Sequence, residues 1–198
     1  MQINNTQYKP IIKFIDENFL QYYNMYDFSK YSLDEYKEYQ YSFSRLAPTN
    51  TFIEEALKWK WGHAGKSNFP QSHKDIIQEV QSNWKTFASK KFTNPQDTFE
   101  YWKSIFNRKT TYITTVYITH LVHYSEVPII DQHNYRAMNH LIKLFVDGDY
   151  QFKKKPSNWN DLIQFTKFIN DISESMTIDK EKLDKFLMMY GKTIKKSI

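Results

Sequence analysis

Cysteine is absent from the 198 residues. That removes disulfides, thiolate-held zinc and Cys-ligated iron–sulfur clusters from consideration. Glycine is scarce, with four residues, and proline contributes six, so the chain has few obligatory breaks. No apolar run approaches the roughly 20 residues that a membrane helix needs, and the N-terminus carries no apolar stretch of the signal-peptide kind. The expectation from these absences is a soluble, cytoplasmic chain with no membrane association.

Against these shortages stand two surpluses. Hydrophobic residues make up 40%, enough for a core without cross-links, and aromatic residues alone 18%. Fifteen Tyr, fifteen Phe and five Trp supply packing area and also flat faces on which bases can stack. The formal net charge is +5 and the pI about 9.1, a balance that favours polyanionic partners. Lysines concentrate at Lys153, Lys154 and Lys155 and along 179–198. Such lysines also suit a solvated helix face near a helix C-terminus.

The patterning is helical. Ser32-x-x-Glu35 and Thr51-x-x-Glu54 have the form of capping boxes, and Ser72-x-x-Asp75 is a weaker version. Asn94-Pro95 and Pro156-Ser157 read as helix openings, and Thr177 or Asp179 as the cap of a last helix. Phe99, Trp102, Ile105 and Phe106 share one helical face. So do Tyr135, Met138, Leu141, Ile142 and Phe145, as well as Leu162, Phe165, Phe168, Ile169 and Ile172, and Leu183, Phe186, Leu187 and Tyr190. The spacing predicts helices near 8–24, 32–46, 51–60, 72–90, 95–107, 110–124, 131–146, 157–174 and 179–195. The segment 110–122 is rich in β-branched residues and by propensity suits a strand. Its apolar residues Ile113, Val116, Tyr117 and Leu121 nevertheless follow helical spacing. No long loop divides the chain, so one all-α domain spanning 1–198 is expected, compact or two-lobed, as a monomer.

The chemistry concentrates in His120–His140, HLVHYSEVPIIDQHNYRAMNH. Asp131 stands where a helix begins, so its carboxylate can cap the free amides of the first turn. The segment Pro128-Ile129-Ile130-Asp131-Gln132-His133-Asn134-Tyr135-Arg136 resembles the hydrophobic–Asp–x–His element of the helix-hairpin-helix DNA glycosylase superfamily. Leu57-Lys58-Trp59-Lys60-Trp61-Gly62 and the stretch from Leu183 to Lys192 are similar to small bacterial proteins of the 8-oxoguanine glycosylase-like fold. The resemblance is strongest over Phe106–Leu141.

That resemblance implies a two-lobed helical domain with a central cleft, its hairpin and catalytic segment at about 104–142. It also implies a DNA glycosylase that flips a damaged or modified base from DNA and cleaves its N-glycosidic bond. Asp131 would then be the catalytic carboxylate, stabilising oxocarbenium character on the sugar. Lys109 is the nearest match to the lysine that forms a Schiff base in bifunctional members; a phosphate-binding role suits it as well. Asn107, Arg108, Lys58, Lys60, Lys66, His133 and Arg136 would contact DNA, and Trp59, Trp61 and His63 would line the base pocket. The family's Gly-x-Gly hairpin turn is replaced by Ser104-Ile105-Phe106-Asn107-Arg108-Lys109-Thr110. Asn107 could there adopt the left-handed conformation, with Arg108 and Lys109 holding the phosphate electrostatically. No cofactor and no metal is implied, and the role is either DNA repair or defence against phage DNA.

Two other readings use the same residues. A helical module can bind nucleic acid without catalysis. Alternatively, His120 and His123, one turn apart, together with Asp131 and His133 could make an N/O metal site for a hydrolase, although no HExxH motif is present.

Overall fold

A computed structural model describes residues 8–29, 31–106, 111–151 and 153–194. Among these residues the protein is all-helical. The helices are α1 (Lys9–Tyr23), α2 (Leu33–Ser44), α3 (Asn50–Lys60), α4 (Gln71–Lys90), α5 (Pro95–Phe106), α6 (Tyr112–Val122), α7 (Gln132–Phe145), α8 (Trp159–Met176) and α9 (Lys180–Ile194). None is long and apolar enough to cross a membrane.

Caps fix several of the starts. Ser32 accepts a bond from the Glu35 amide, as its spacing predicts. Asn94 accepts from the Gln96 amide ahead of Pro95. Elsewhere the cap is displaced from the residue expected. Thr49, not Thr51, caps α3 by accepting from the Phe52 amide. Pro70 precedes α4 with no side-chain cap, and Asp75 instead accepts from the Gln71 side chain. Asn158, following Pro156-Ser157, caps α8 through the Asp161 amide. Thr177 ends α8 in the left-handed conformation. In each case several Ser, Thr or Asn residues compete within one turn, and the local chain path selects among them.

The β-branched segment is a helix because it is buried on all sides. Every residue from Thr114 to Val122 in α6 is buried, so no polar face is needed. The threonines avoid stranded hydroxyls by turning back on the helix. Thr115 Oγ1 donates to the Thr111 carbonyl at 3.1 Å and Thr119 Oγ1 to the Thr115 carbonyl at 2.9 Å.

The helices form two compact units. The middle unit, Phe28–Val127, holds α2 to α6. Its core is a run of aromatic rings: Phe43 against Trp84 at 5.0 Å, Trp84 stacked on Trp102 at 5.8 Å, and Phe87 against Trp102 at 5.1 Å. The terminal unit combines Met1–Asp27 with Pro128–Ile198 and holds α1, α7, α8 and α9. Here Phe14 meets Tyr190 at 5.2 Å and Phe145 at 5.5 Å, and Phe19 stacks on Phe186 at 5.8 Å. Ile11, Ile15, Leu141, Phe165, Leu183 and Leu187 are fully buried around them.

Candidate functional site

Asp131 is the N-cap of α7, in an extended conformation with φ −136° and ψ 179°. Its Oδ1 accepts the His133 amide at 2.6 Å and the Asn134 amide at 3.0 Å. Asn134 answers by accepting the Asp131 amide at 2.7 Å, which closes a reciprocal capping box with Asn in the place usually held by Glu or Gln. Both bonds fall on Oδ1. Among the described residues Oδ2 accepts none, and the side chain is only partly buried. Asp131 is therefore at once a helix cap and a carboxylate with one uncommitted oxygen, in the positive end-field of a helix.

The turn that presents Asp131 is held from α9. Asn134, almost fully buried, donates to the Ile129 carbonyl at 3.1 Å and to Asp184 Oδ1 at 2.6 Å. Arg136 donates to the Gly191 carbonyl at 3.0 Å and lies 3.3 Å from His133 Nδ1. With 6% exposure, Arg136 ties α7 to α9. Its guanidinium, which the sequence reading sets against DNA, is buried here and bonded to protein groups. His133 remains partly exposed beside it. His140, further along α7, is half-buried, and its Nδ1 pairs with the Tyr190 hydroxyl at 2.8 Å.

In the middle unit the expected base-pocket residues separate. Trp59 is buried, its ring nearly parallel to Tyr36 at 5.1 Å and to Tyr117 at 6.3 Å, so its indole is packed in the core and not open to a base. Its ring belongs to the core because α3 turns it inward, away from Lys58. Lys60 reaches back over Tyr117, at 5.5 Å from the ring. Trp61 and His63 lie instead at the half-exposed end of α3 and in the loop after it. Lys66 is exposed in that loop, and Lys58 pairs with Glu54 at 3.4 Å. Three neighbours went unrecognised in the sequence: Phe69, His73 and Lys74. Trp61 stacks on His73 at 4.0 Å, and Lys58 and Lys74 lie 5.0 and 5.4 Å from the Phe69 ring. The available signal was the run 58–74, which contains four lysines and no acidic residue. Asn107, Arg108 and Lys109 lie outside the described residues.

His120 and His123 are both spoken for by protein groups. His120 is buried. It donates from Nδ1 to the Val127 carbonyl, and its Nε2 accepts from the Tyr36 hydroxyl. The carbonyl partner sets the tautomer. Burial pushes its pKa down to about 4, with Lys60 adding to the depression and the Val127 bond opposing it. His123 Nε2 bonds the Thr98 hydroxyl at 2.8 Å. Among the described residues no group of three or more His, Cys, Asp or Glu gathers in a metal-binding arrangement.

Lys153 is fastened to the buried Asp161 at 2.5 Å, and Asp161 also accepts from the Ser157 amide and hydroxyl. The lysine run at 153–155 thus begins with a structural contact. A shallow groove of about 560 Å³ lies along α2, lined by Lys37, Glu38, Tyr41, Arg45 and Phe52 among others.

Set against protein-family models, curated proteins and solved structures, the chain matches none of them.

Proposed function

We propose that the protein is a DNA glycosylase in which Asp131 is the catalytic carboxylate. The observation that carries this reading is the division of labour within one side chain. Oδ1 caps α7 and fixes the carboxylate's direction, while Oδ2 is left for a partner from outside. Breaking an N-glycosidic bond builds positive charge at the sugar's anomeric carbon. An ionised, preoriented carboxylate stabilises that charge, or steers a water onto the carbon, without reorganising as the reaction proceeds. The resemblance around Pro128–Arg136 supplies the reaction class, and the net charge of +5 suits a DNA substrate. Asn134, Asp184 and Arg136 are positioning residues that hold the turn.

A non-catalytic nucleic-acid-binding module is the second reading. It is favoured by the completeness of the capping box, which by itself accounts for an Asp at this position.

Asp131→Asn separates the two, because asparagine caps a helix as well as aspartate but carries no charge. The assay incubates protein with duplexes containing a panel of damaged and modified bases and measures abasic sites by alkaline cleavage. Borohydride is added to trap any Schiff base. A glycosylase loses at least a hundredfold in base release on Asp131→Asn while retaining its melting temperature and DNA affinity. A trapped adduct abolished by Lys109→Ala makes the enzyme bifunctional. Release at the wild-type rate from a folded Asp131→Asn protein sinks the assignment.

A further inference from the structure

The patch at the end of α3 and the start of α4, within the middle unit, has an unusual composition. Residues 58–74 read KWKWGHAGKSNFPQSHK, with four lysines, two histidines and no acid. The nearest acids are tied: Glu54 pairs with Lys58, and Asp75 accepts from Gln71. Gly62 and Gly65 both take left-handed φ, 70° and 69°, and so fold the loop back toward the helix that follows it.

The folding-back brings four rings into one run. Trp61 stacks on His73 with centroids 4.0 Å apart and planes 23° apart. His73 Nδ1 lies 3.2 Å from His63 Nε2. His63 in turn lies nearly parallel to Phe69 at 5.8 Å. Phe69 is bracketed by two ammonium groups, Lys58 at 5.0 Å and Lys74 at 5.4 Å. All four rings are half-exposed, and Lys66 and Lys74 are exposed beside them. In a purely structural cluster the rings would be covered, as Trp59 is two residues before Trp61.

We propose that this patch is a stacking platform for single-stranded DNA. Flat rings at intervals accept bases irrespective of sequence, and the bordering ammonium groups follow the phosphates. The His63–His73 spacing would also suit two ligands of one transition-metal ion. The surrounding cations and the lack of a third His, Cys, Asp or Glu among the described residues argue for an anionic occupant instead. The inference does not rest on the glycosylase reading. It would give that enzyme a hold on unpaired DNA, and it would serve a non-catalytic binder equally.

The test titrates the full-length protein into fluorescently labelled oligo-dT, which presents no damaged base, at several salt concentrations. Phe69→Ala weakens binding by roughly five- to a hundredfold, the range for losing one stacked base, and Phe69→Tyr restores it. Lys74→Gln and Lys66→Gln each lower the slope of log affinity against log salt by about 0.7. These two exposed sites keep the test valid if Phe69→Ala fails to fold. Wild-type affinity and slope in the folded Phe69 and lysine variants would overturn the platform. So would preference for intact duplex without sensitivity to Phe69, or zinc binding abolished by His73→Ala while oligo-dT binding is unmoved. None of those results touches base release by Asp131. Conversely, loss of the Asp131 assignment leaves the oligo-dT measurements standing.

Discussion

Gly191 of α9 packs directly on the backbone of His133 in α7: a Cβ at position 191 would lie 1.9 Å from the His133 carbonyl oxygen and 2.6 Å from its carbonyl carbon. The obstacle is main chain, so no side-chain rotation can relieve it. The same Gly191 offers its carbonyl to Arg136. Gly191→Ala must therefore push α7 from α9 at the turn that carries Asp131. We expect destabilisation of about 1–3 kcal/mol, the usual range for overpacking, read as a lower melting temperature. If Asp131 is the catalytic carboxylate proposed above, base release should fall more than stability does, because the displaced element bears that carboxylate. An unchanged melting temperature would mean that the two helices are not held at this distance.

Asn134 offers a second handle on the same turn. Its side chain makes three bonds, to the Asp131 amide, the Ile129 carbonyl and Asp184. Asn134→Ala removes all three from a buried position and should cost roughly 2–4 kcal/mol. Chemical denaturation of the variant beside Asp131→Ala, for which loss of the cap alone should cost about 1 kcal/mol, ranks the two. Asn134→Ala is expected to be the more damaging.

Acid should weaken the protein in two stages. His120 is buried and neutral, its pKa pushed down to about 4 from the ordinary histidine value of 6.5, first by burial. The unfolded chain takes up that proton more readily, so the contribution is intact above pH 6.5 and is lost as pH falls from there to about 4. The loss is on the order of 3 kcal/mol. Asp161 behaves differently. Burial opposes its ionisation, but the Lys153 ammonium and the Ser157 amide more than compensate and hold its pKa below the usual carboxylate value. Its stabilisation holds at neutral pH and disappears only as pH falls through that lowered range. Denaturation measured from pH 7.5 to 3 should show both limbs. His120→Asn, whose amide keeps a donor near the Val127 carbonyl but does not titrate, should lose the upper limb alone. A wild-type pH profile in that variant would remove His120 from the account.

Asp161→Ala should cost about 3–5 kcal/mol at pH 7, because Lys153 and the Ser157 amide lose their shared acceptor in a buried setting. Lys153→Met, which deletes the charge on the exposed side of the pair, should cost much less. Equal costs would show that Lys153 contributes as much as the backbone bonds do.

The helices were legible because their signals are local. Ser32 and Asn94 cap where their spacing places them, and the faces of α5, α7, α8 and α9 are written in residues three and four apart. Even the Thr-rich α6 follows its apolar spacing over its β propensity, since the hydroxyls have carbonyls within reach one turn back. Asp131 was legible for the same reason: a cap is a property of its own turn. What sequence left undecided depends on rotation about a helix axis and on partners far along the chain. Trp59 and Trp61 are two residues apart, and a helix sends them roughly 200° apart. One therefore enters the core while its neighbour in the motif stays at the surface. Arg136 turns inward because Gly191, 55 residues later, leaves a carbonyl within reach. Nothing within a turn of either residue announces this.

The terminal unit is made of two segments that flank the middle unit in sequence. During synthesis α1 leaves the ribosome before its partners, with Ile11 and Ile15 uncovered, and α7, α8 and α9 follow only after the roughly 100 residues of the middle unit. At about 5–20 residues per second that is an interval of at least several seconds. The middle unit, contiguous in sequence, can close within that interval. The turn bearing Asp131 reaches its final form only when Gly191, near the end of α9, has been made. Nascent chains halted before α9 would thus carry the capping residues without the helix that clamps them.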